Sequence, residues 1–239
     1  MLLTLLSPAL ASLTLLVQTA DPDPAPIPAA FLAEAERQIS DPAAPGLAVA
    51  LVEADRVSDI ITLGTADTET GRPLSPTSPF RSASTLKMVV AAAVLRQAEI
   101  DRVSLDTPIG SLAPDLPGFL HPITLHQLLT HTSGLSYPFN PGVLPAEMNA
   151  RKILFRADDT SLSEMTDRTA ALPLAFRPGT RWEYSVGIDI LGRIVEIVSG
   201  EDLASFFRTR IFEPLGMTET SFQVPAGAGD RVASLSTPL

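Results

Sequence analysis

The sequence predicts an α+β fold, with strands first and helices after. Three observations carry this. Leu47 to Val52 is a continuous apolar run, and Ile60 to Leu63 reads as its hairpin partner across an acidic turn, Glu53 to Asp55. Leu86, Val89, Val90, Ala93 and Val94 fall at i, i+3, i+4, i+7 and i+8, one buried helical face. Ile188, Leu191, Ile194, Val195 and Val198 form a second helical stripe, which Gly200 ends.

In chain order, residues 2–17 are nearly all apolar, and a Pro/Asp-rich stretch runs from Asp21 to Pro28. This pattern reads as a secretory signal with cleavage near Ala20, followed by a spacer. Export to a periplasmic or extracellular space is the expectation, with an uncleaved membrane anchor as the alternative. Ala29 to Ile39 reads as a surface helix. The hairpin follows, then a loop rich in Thr, Pro and Gly from Asp67 to Pro79. Pro76 and Pro79 block any helix start before Ser84. From Asp101 to Pro145 prolines and glycines punctuate the chain. Within it Thr124 has N-cap character for a short helix over 125–130. Ser161 to Glu164 has the form of a capping box. Leu203 to Ile211 gives a further helix that stops before Pro214. Val224 to Leu239 reads as coil.

The chain has 239 residues, 45% of them hydrophobic, enough for one large or two small cores. A net charge of −10 argues against nucleic acid and against an anionic membrane surface as partners. There is no cysteine, which removes disulfides, zinc-thiolate sites and thiol nucleophiles.

The chemistry concentrates at Phe80 to Lys87. Ser84 and Lys87 lie one turn apart on one side of the predicted helix. A serine hydroxyl needs a base to take its proton. A lysine can be that base if burial lowers its pKa, and arginine cannot. The chain has only two lysines, Lys87 and Lys152. The plain alternative is a capping serine followed by a solvated lysine. Pro178 to Ser185 leads into the Ile188 helix and carries Tyr184, one of two tyrosines with Tyr137. A phenol there can shuttle protons if a cation such as Lys87 lies close; the alternative is a Tyr/Trp pair covering a core. His121, His126 and His131 are spaced by five, which puts no two on one helix face. The sequence therefore points to no metal and no cofactor. A Ser-His-Asp arrangement is conceivable but lacks its strand–turn–helix motif.

Taken together, Pro45 to Val49, Ala66 to Pro73, Phe80 to Lys87, Leu128 to Leu135, Pro178 to Ser185, Leu191-Gly192 and Glu213 to Met217 occur in the order in which similar segments occur in the serine β-lactamase-related family. That family includes class C β-lactamases, DD-peptidases and family VIII carboxylesterases. The resemblance runs from about Pro45 to Phe222. It implies Ser84 as the acylated nucleophile, with Lys87 and Tyr184 as the base and proton-shuttle pair. It also implies a DD-peptidase/β-lactamase-like architecture, an antiparallel sheet flanked by helices with an inserted helical domain.

Two departures stand out. The family's Tyr-x-Asn reads Tyr184-Ser185-Val186 here. Its Lys-Thr-Gly or His-x-Gly triplet on a late strand has no counterpart. The resemblance therefore implies an incomplete, C-terminally truncated domain over 29–239, after a signal-like segment (1–20) and spacer (21–28). Its parts would be 29–100 with the strands and nucleophile helix, a mainly helical 101–222, and a tail from 223. Such a piece is expected to be a marginal fold and a poor catalyst. The implied function is a serine hydrolase acting on a small ester, amide or β-lactam. Esters are favoured because valine at 186 offers no hydrogen bond to an acylamino substrate. A β-lactamase or D-Ala-D-Ala peptidase is the alternative, and a non-catalytic member of the family a further one.

Overall fold

The computed structural model describes residues 27–39, 44–53, 56–150, 153, 161–224 and 226–234. The signal-like segment and Lys152 lie outside the described residues. The chain divides into two compact units, one formed by residues 1–80 with 228–239 and the other by 81–227.

The first unit holds α1 (Ala29–Gln38) and a three-stranded antiparallel sheet in the order β1-β2-β3. β1 is Gly46–Glu53, β2 is Arg56–Asp67 and β3 is Arg72–Pro73. The hairpin pairs Leu47 with Leu63 and Val49 with Ile61, and slips register between Leu51 and Val52. β2 is much longer than its apolar stretch suggests. Beyond Leu63 it passes Gly64, whose φ of 76° only glycine adopts without strain, and carries on to Asp67. The Asp67 carboxylate accepts the N–H groups of Glu69 and Thr70, which turns the chain back into β3. The expected loop thus hides a third strand, only two residues long and made of Arg and Pro.

The end of the described chain also differs from the expected coil. Ser234 N–H donates to Ala66 O at 2.7 Å and Ala233 N–H to Pro79 O at 2.9 Å. The Arg72 guanidinium donates to the carbonyls of Arg231 (3.2 Å) and Val232 (2.6 Å), and Arg231 donates to Thr77 O. Residues 231–234 are therefore tied to the strand region by main-chain and guanidinium bonds that composition does not reveal.

The second unit is helical. Its elements are α2 (Leu86–Asp101), α3 (Ile109–Leu112), α4 (Leu125–Leu129), α5 (Val143–Ala150), α6 (Leu162–Ala170), α7 (Gly187–Ser199) and α8 (Leu203–Phe207). α2 buries Val90, Val94 and Ala98, and packs Leu86, Val89 and Ala93 against the same core. α7 buries Ile188, Ile190, Leu191 and Ile194 and ends at Gly200 with φ 72°. The Thr124 capping box is complete: Gln127 N–H donates to its hydroxyl, and its own N–H donates to the Gln127 amide oxygen. Ser161 caps α6 by accepting the Glu164 N–H. α5 was hidden by Pro145, which sits in its first turn, where no intrahelical N–H bond is lost. The helix starting at Leu203 stops at Phe207 and continues as a π turn, Arg208–Phe212. Among the described residues no helix is long and apolar enough to cross a membrane.

Candidate active site

The site lies within the helical unit, where two loops and the start of α2 converge. Ser84 stands in a 3-10 turn, Ala83–Thr85, that runs straight into α2. Its side chain is exposed. Ala83 has φ 41°, a left-handed backbone that strains any residue with a Cβ. Strain sits directly beside the candidate nucleophile.

Tyr137 and Tyr184 come from loops laced together by main-chain bonds. Ala175 N–H donates to Gly134 O, Gly179 N–H to Thr132 O, Glu183 N–H to His131 O and Val186 N–H to Ser136 O. A side-chain network locks the same loops. Ser136 Oγ donates to Glu183 Oε1 at 2.5 Å, Asn140 Nδ2 donates to Tyr184 O at 2.8 Å, and Arg181 pairs with Glu183 at 2.7 Å. His131 holds the third corner at φ 57°. The Ser185 N–H donates to its Nδ1 at 3.2 Å. Nδ1 is therefore the lone-pair nitrogen, so the Ser185 hydroxyl at 3.2 Å must also donate to it. Burial, and then the charge of Lys87, pulls this imidazole down from its ordinary pKa.

The rings form a stack. Tyr137 and Tyr184 lie parallel with centroids 5.1 Å apart. Phe139 covers Tyr137 at 4.5 Å, and His131 covers Tyr184 at 4.7 Å. The Tyr184 hydroxyl donates to Ser84 Oγ at 2.9 Å. Lys87 Nζ donates to the Tyr137 hydroxyl at 3.1 Å and lies 5.2 and 5.4 Å from the two tyrosine ring centroids. Ser84, Lys87 and Tyr184 are thus brought together as the sequence leads one to expect.

The electrostatics correct one expectation. Burial does oppose the Lys87 charge and is the largest single influence on it. The Tyr137 hydrogen bond, the Asp189 carboxylate and the two tyrosine hydroxyls together outweigh it. The lysine is held above its ordinary pKa, not below it. Burial, and next the Asp189 charge, pushes the Tyr137 phenol up.

Val186 also departs from expectation. Its side chain is fully enclosed in the core, so position 186 presents nothing to a substrate and serves packing. The other histidines lie apart from the site chemistry: His121 Nε2 bonds the Leu116 carbonyl, and His126 is exposed. Sequence reasoning left two residues unplaced that matter here. Tyr137 was one of only two tyrosines but had no motif. Asp189 is a lone acid among Ile188, Ile190 and Leu191, and that break in an apolar run is the signal that could have found it.

A family model, Beta-lactamase, matches residues 32–238. The chain belongs to the Beta-lactamase family. It is 38% identical over 166 residues to Esterase EstB of Burkholderia gladioli, covering 66% of this chain and 42% of EstB. Among solved structures it is similar to EstCE1, described as a hydrolase with promiscuous acyltransferase activity. That match has a TM-score of 0.71 and 27% identity, over 86% of this chain and 55% of that one. It is also similar to the D-alanine carboxypeptidase AmpC of Burkholderia cenocepacia, with a TM-score of 0.63, 28% identity and coverage of 84% and 51%. This Beta-lactamase family chain spans about half the length of these relatives. Its α+β fold is that of the β-lactamase and penicillin-binding-protein neighbours.

Proposed function

We propose that this chain carries the acylating site of a serine hydrolase that cleaves small carboxylic esters. The observation that carries the reading is the Tyr184 hydroxyl 2.9 Å from Ser84 Oγ, with Lys87 over the same ring. Ser84 Oγ attacks the ester carbonyl carbon while its proton passes to the Tyr184–Lys87 pair. The pair returns that proton to the departing alkoxide, the C–O bond breaks, and the alcohol leaves. Water then attacks the acyl-serine, its proton moving along the same path, and the acid is released. The pair can accept a proton only in the form holding one proton fewer than phenol plus ammonium.

Similarity to an esterase and to EstCE1 supports an ester over a peptide or β-lactam. The test compares kcat/KM for p-nitrophenyl butyrate with that for a chromogenic cephalosporin, and adds fluorophosphonate labelling. Ser84→Ala is expected to abolish both turnover and labelling. Undiminished hydrolysis by that variant ends the assignment, and a clear preference for the cephalosporin replaces the ester with a β-lactam.

A further inference from the structure

Asp189 occupies the first turn of α7, five residues beyond Tyr184, and its Oδ2 is sealed from solvent without a hydrogen-bond partner. An acid in a first helical turn gains from the helix dipole, but that gain needs no burial. The carboxylate is bonded by its own backbone N–H, but sealing its other oxygen without a partner is costly, and such a group protonates unless a cation stands near. α2 packs on α7, and the first turn of α2 carries Lys87.

The other elements packed on α7 offer no substitute. α3 and α8 carry no titratable side chain. α4 carries His126, which is exposed. On α6, Glu164 and Arg168 pair with each other, and Asp167 is exposed. On α7 itself Arg193 pairs with Glu196. From the loops, Tyr137 and Tyr184 sit against Lys87 and His131 sits against Tyr184; Glu183 is taken by Arg181.

We propose that Asp189 is a positioning residue for the Ser84 chemistry: its carboxylate, with one oxygen sealed from solvent, is the counter-anion of Lys87 and holds the ammonium in place beside Tyr184. The idea deepens the serine-hydrolase reading and rests on it for its catalytic part. An ammonium at Lys87 keeps its bond to the Tyr137 hydroxyl and stays beside the Tyr184 ring, whose hydroxyl touches Ser84 Oγ. Lys87 then sits as a fixed cation beside the stacked pair, 5.2 and 5.4 Å from the two ring centroids. The two charges depend on each other. Burial pushes the Asp189 carboxyl up while Lys87 pulls it down, and Asp189 in turn favours the ammonium.

Two lysines make the test direct. Lysine labelled with 13C at Cε gives two side-chain signals, and Lys152→Arg assigns them. In Asp189→Asn the Lys87 midpoint is expected to fall, with its acid dissociation constant up roughly tenfold or more. The Lys152 midpoint stays put. The acidic limb of kcat/KM moves to lower pH in the same variant, because the pair then loses its proton more readily. A Lys87 midpoint that does not move overturns the proposal.

A double-mutant cycle covers the case of a poorly folded variant. Asp189→Asn should lower Tm in the native background but leave it unchanged or raise it beside Lys87→Met, where the acid has lost its cation. An equal loss in both backgrounds makes Asp189 merely structural and overturns the proposal. A Lys87 shift in a protein that hydrolyses no ester keeps the charge pair and removes the hydrolase reading. Ester turnover lost in Ser84→Ala, together with an unmoved Lys87, does the reverse.

Discussion

Tyr184→Phe separates chemistry from structure at this site. The substitution removes one oxygen and leaves the ring. That ring keeps its stack on Tyr137 at 5.1 Å and its tilted contact with His131 at 4.7 Å, and the Tyr184 carbonyl keeps its bond from Asn140. The lost hydrogen bond joins Tyr184 to an exposed serine, which water can satisfy. Its structural worth is therefore near the bottom of the usual range, about 0.5 kcal/mol, or roughly 1–2 °C in Tm for a chain of this size. Losing a positioned proton acceptor costs about 10²–10⁴ in rate, equivalent to roughly 3–5.5 kcal/mol of barrier. The catalytic effect should exceed the structural one several-fold in energy. Steady-state hydrolysis of p-nitrophenyl butyrate and a thermal melt measure the two quantities. The loss should fall on kcat, with KM little changed. A loss under tenfold, or a Tm drop large enough to account for the missing activity, refutes the reasoning. Tyr137→Phe is the companion control. It deprives Lys87 of its 3.1 Å partner without touching Ser84, so it should cost less in rate than Tyr184→Phe.

Three further outcomes follow from the same structure. His131 binds its proton less readily folded than unfolded, so stability should hold above about pH 6.5 and fall as pH drops below it; the difference in Tm between pH 7.5 and 5.5 should shrink in His131→Asn, which tolerates the left-handed backbone. Gly134 has φ 84°, and a Cβ there would meet Phe176 O at 2.2 Å, so Gly134→Ala should cost roughly 2–5 kcal/mol in a denaturant melt and loosen the loops that carry both tyrosines. Arg102 closes α2 in the left-handed region at φ 54°, and Arg102→Gly should stabilise the protein by about 1 kcal/mol, seen as a rise of roughly 2–4 °C in Tm.

Much of this was legible in the residues, for identifiable reasons. Leu47 to Val52 and the Leu86 and Ile188 stripes obey simple periodicities, so strand and helices appear where apolar spacing puts them. The Thr124 cap is a local side-chain device and reads locally. Ser84, Lys87 and Tyr184 stood out as candidates because a nucleophile and a base have few chemical substitutes, and the structure places them close together. What stayed hidden depends on contacts distant in sequence. β3 is two residues that pair only because Asp67 folds the chain back on β2. The Lys87 charge is decided by Tyr137, 50 residues away, and by Asp189, about twice as far. Burial alone argued for a neutral lysine, and the partners reversed the sign. Position 186 drew notice because valine stands where the family's Tyr-x-Asn has its asparagine, but its side chain is enclosed in the core.

The bonds from Arg72 to the carbonyls of Arg231 and Val232 span 159 and 160 residues of chain. During synthesis, the guanidinium emerges long before the carbonyls that it will hold. At about 5–20 residues per second the wait is roughly 10–30 s. Throughout it, Ala66 O and Pro79 O also lack their donors, while the whole helical unit emerges in between. A ribosome-arrested series of increasing length should therefore record the helical unit becoming protease-resistant first. The sheet would gain its last protection only once residue 234 has cleared the exit tunnel.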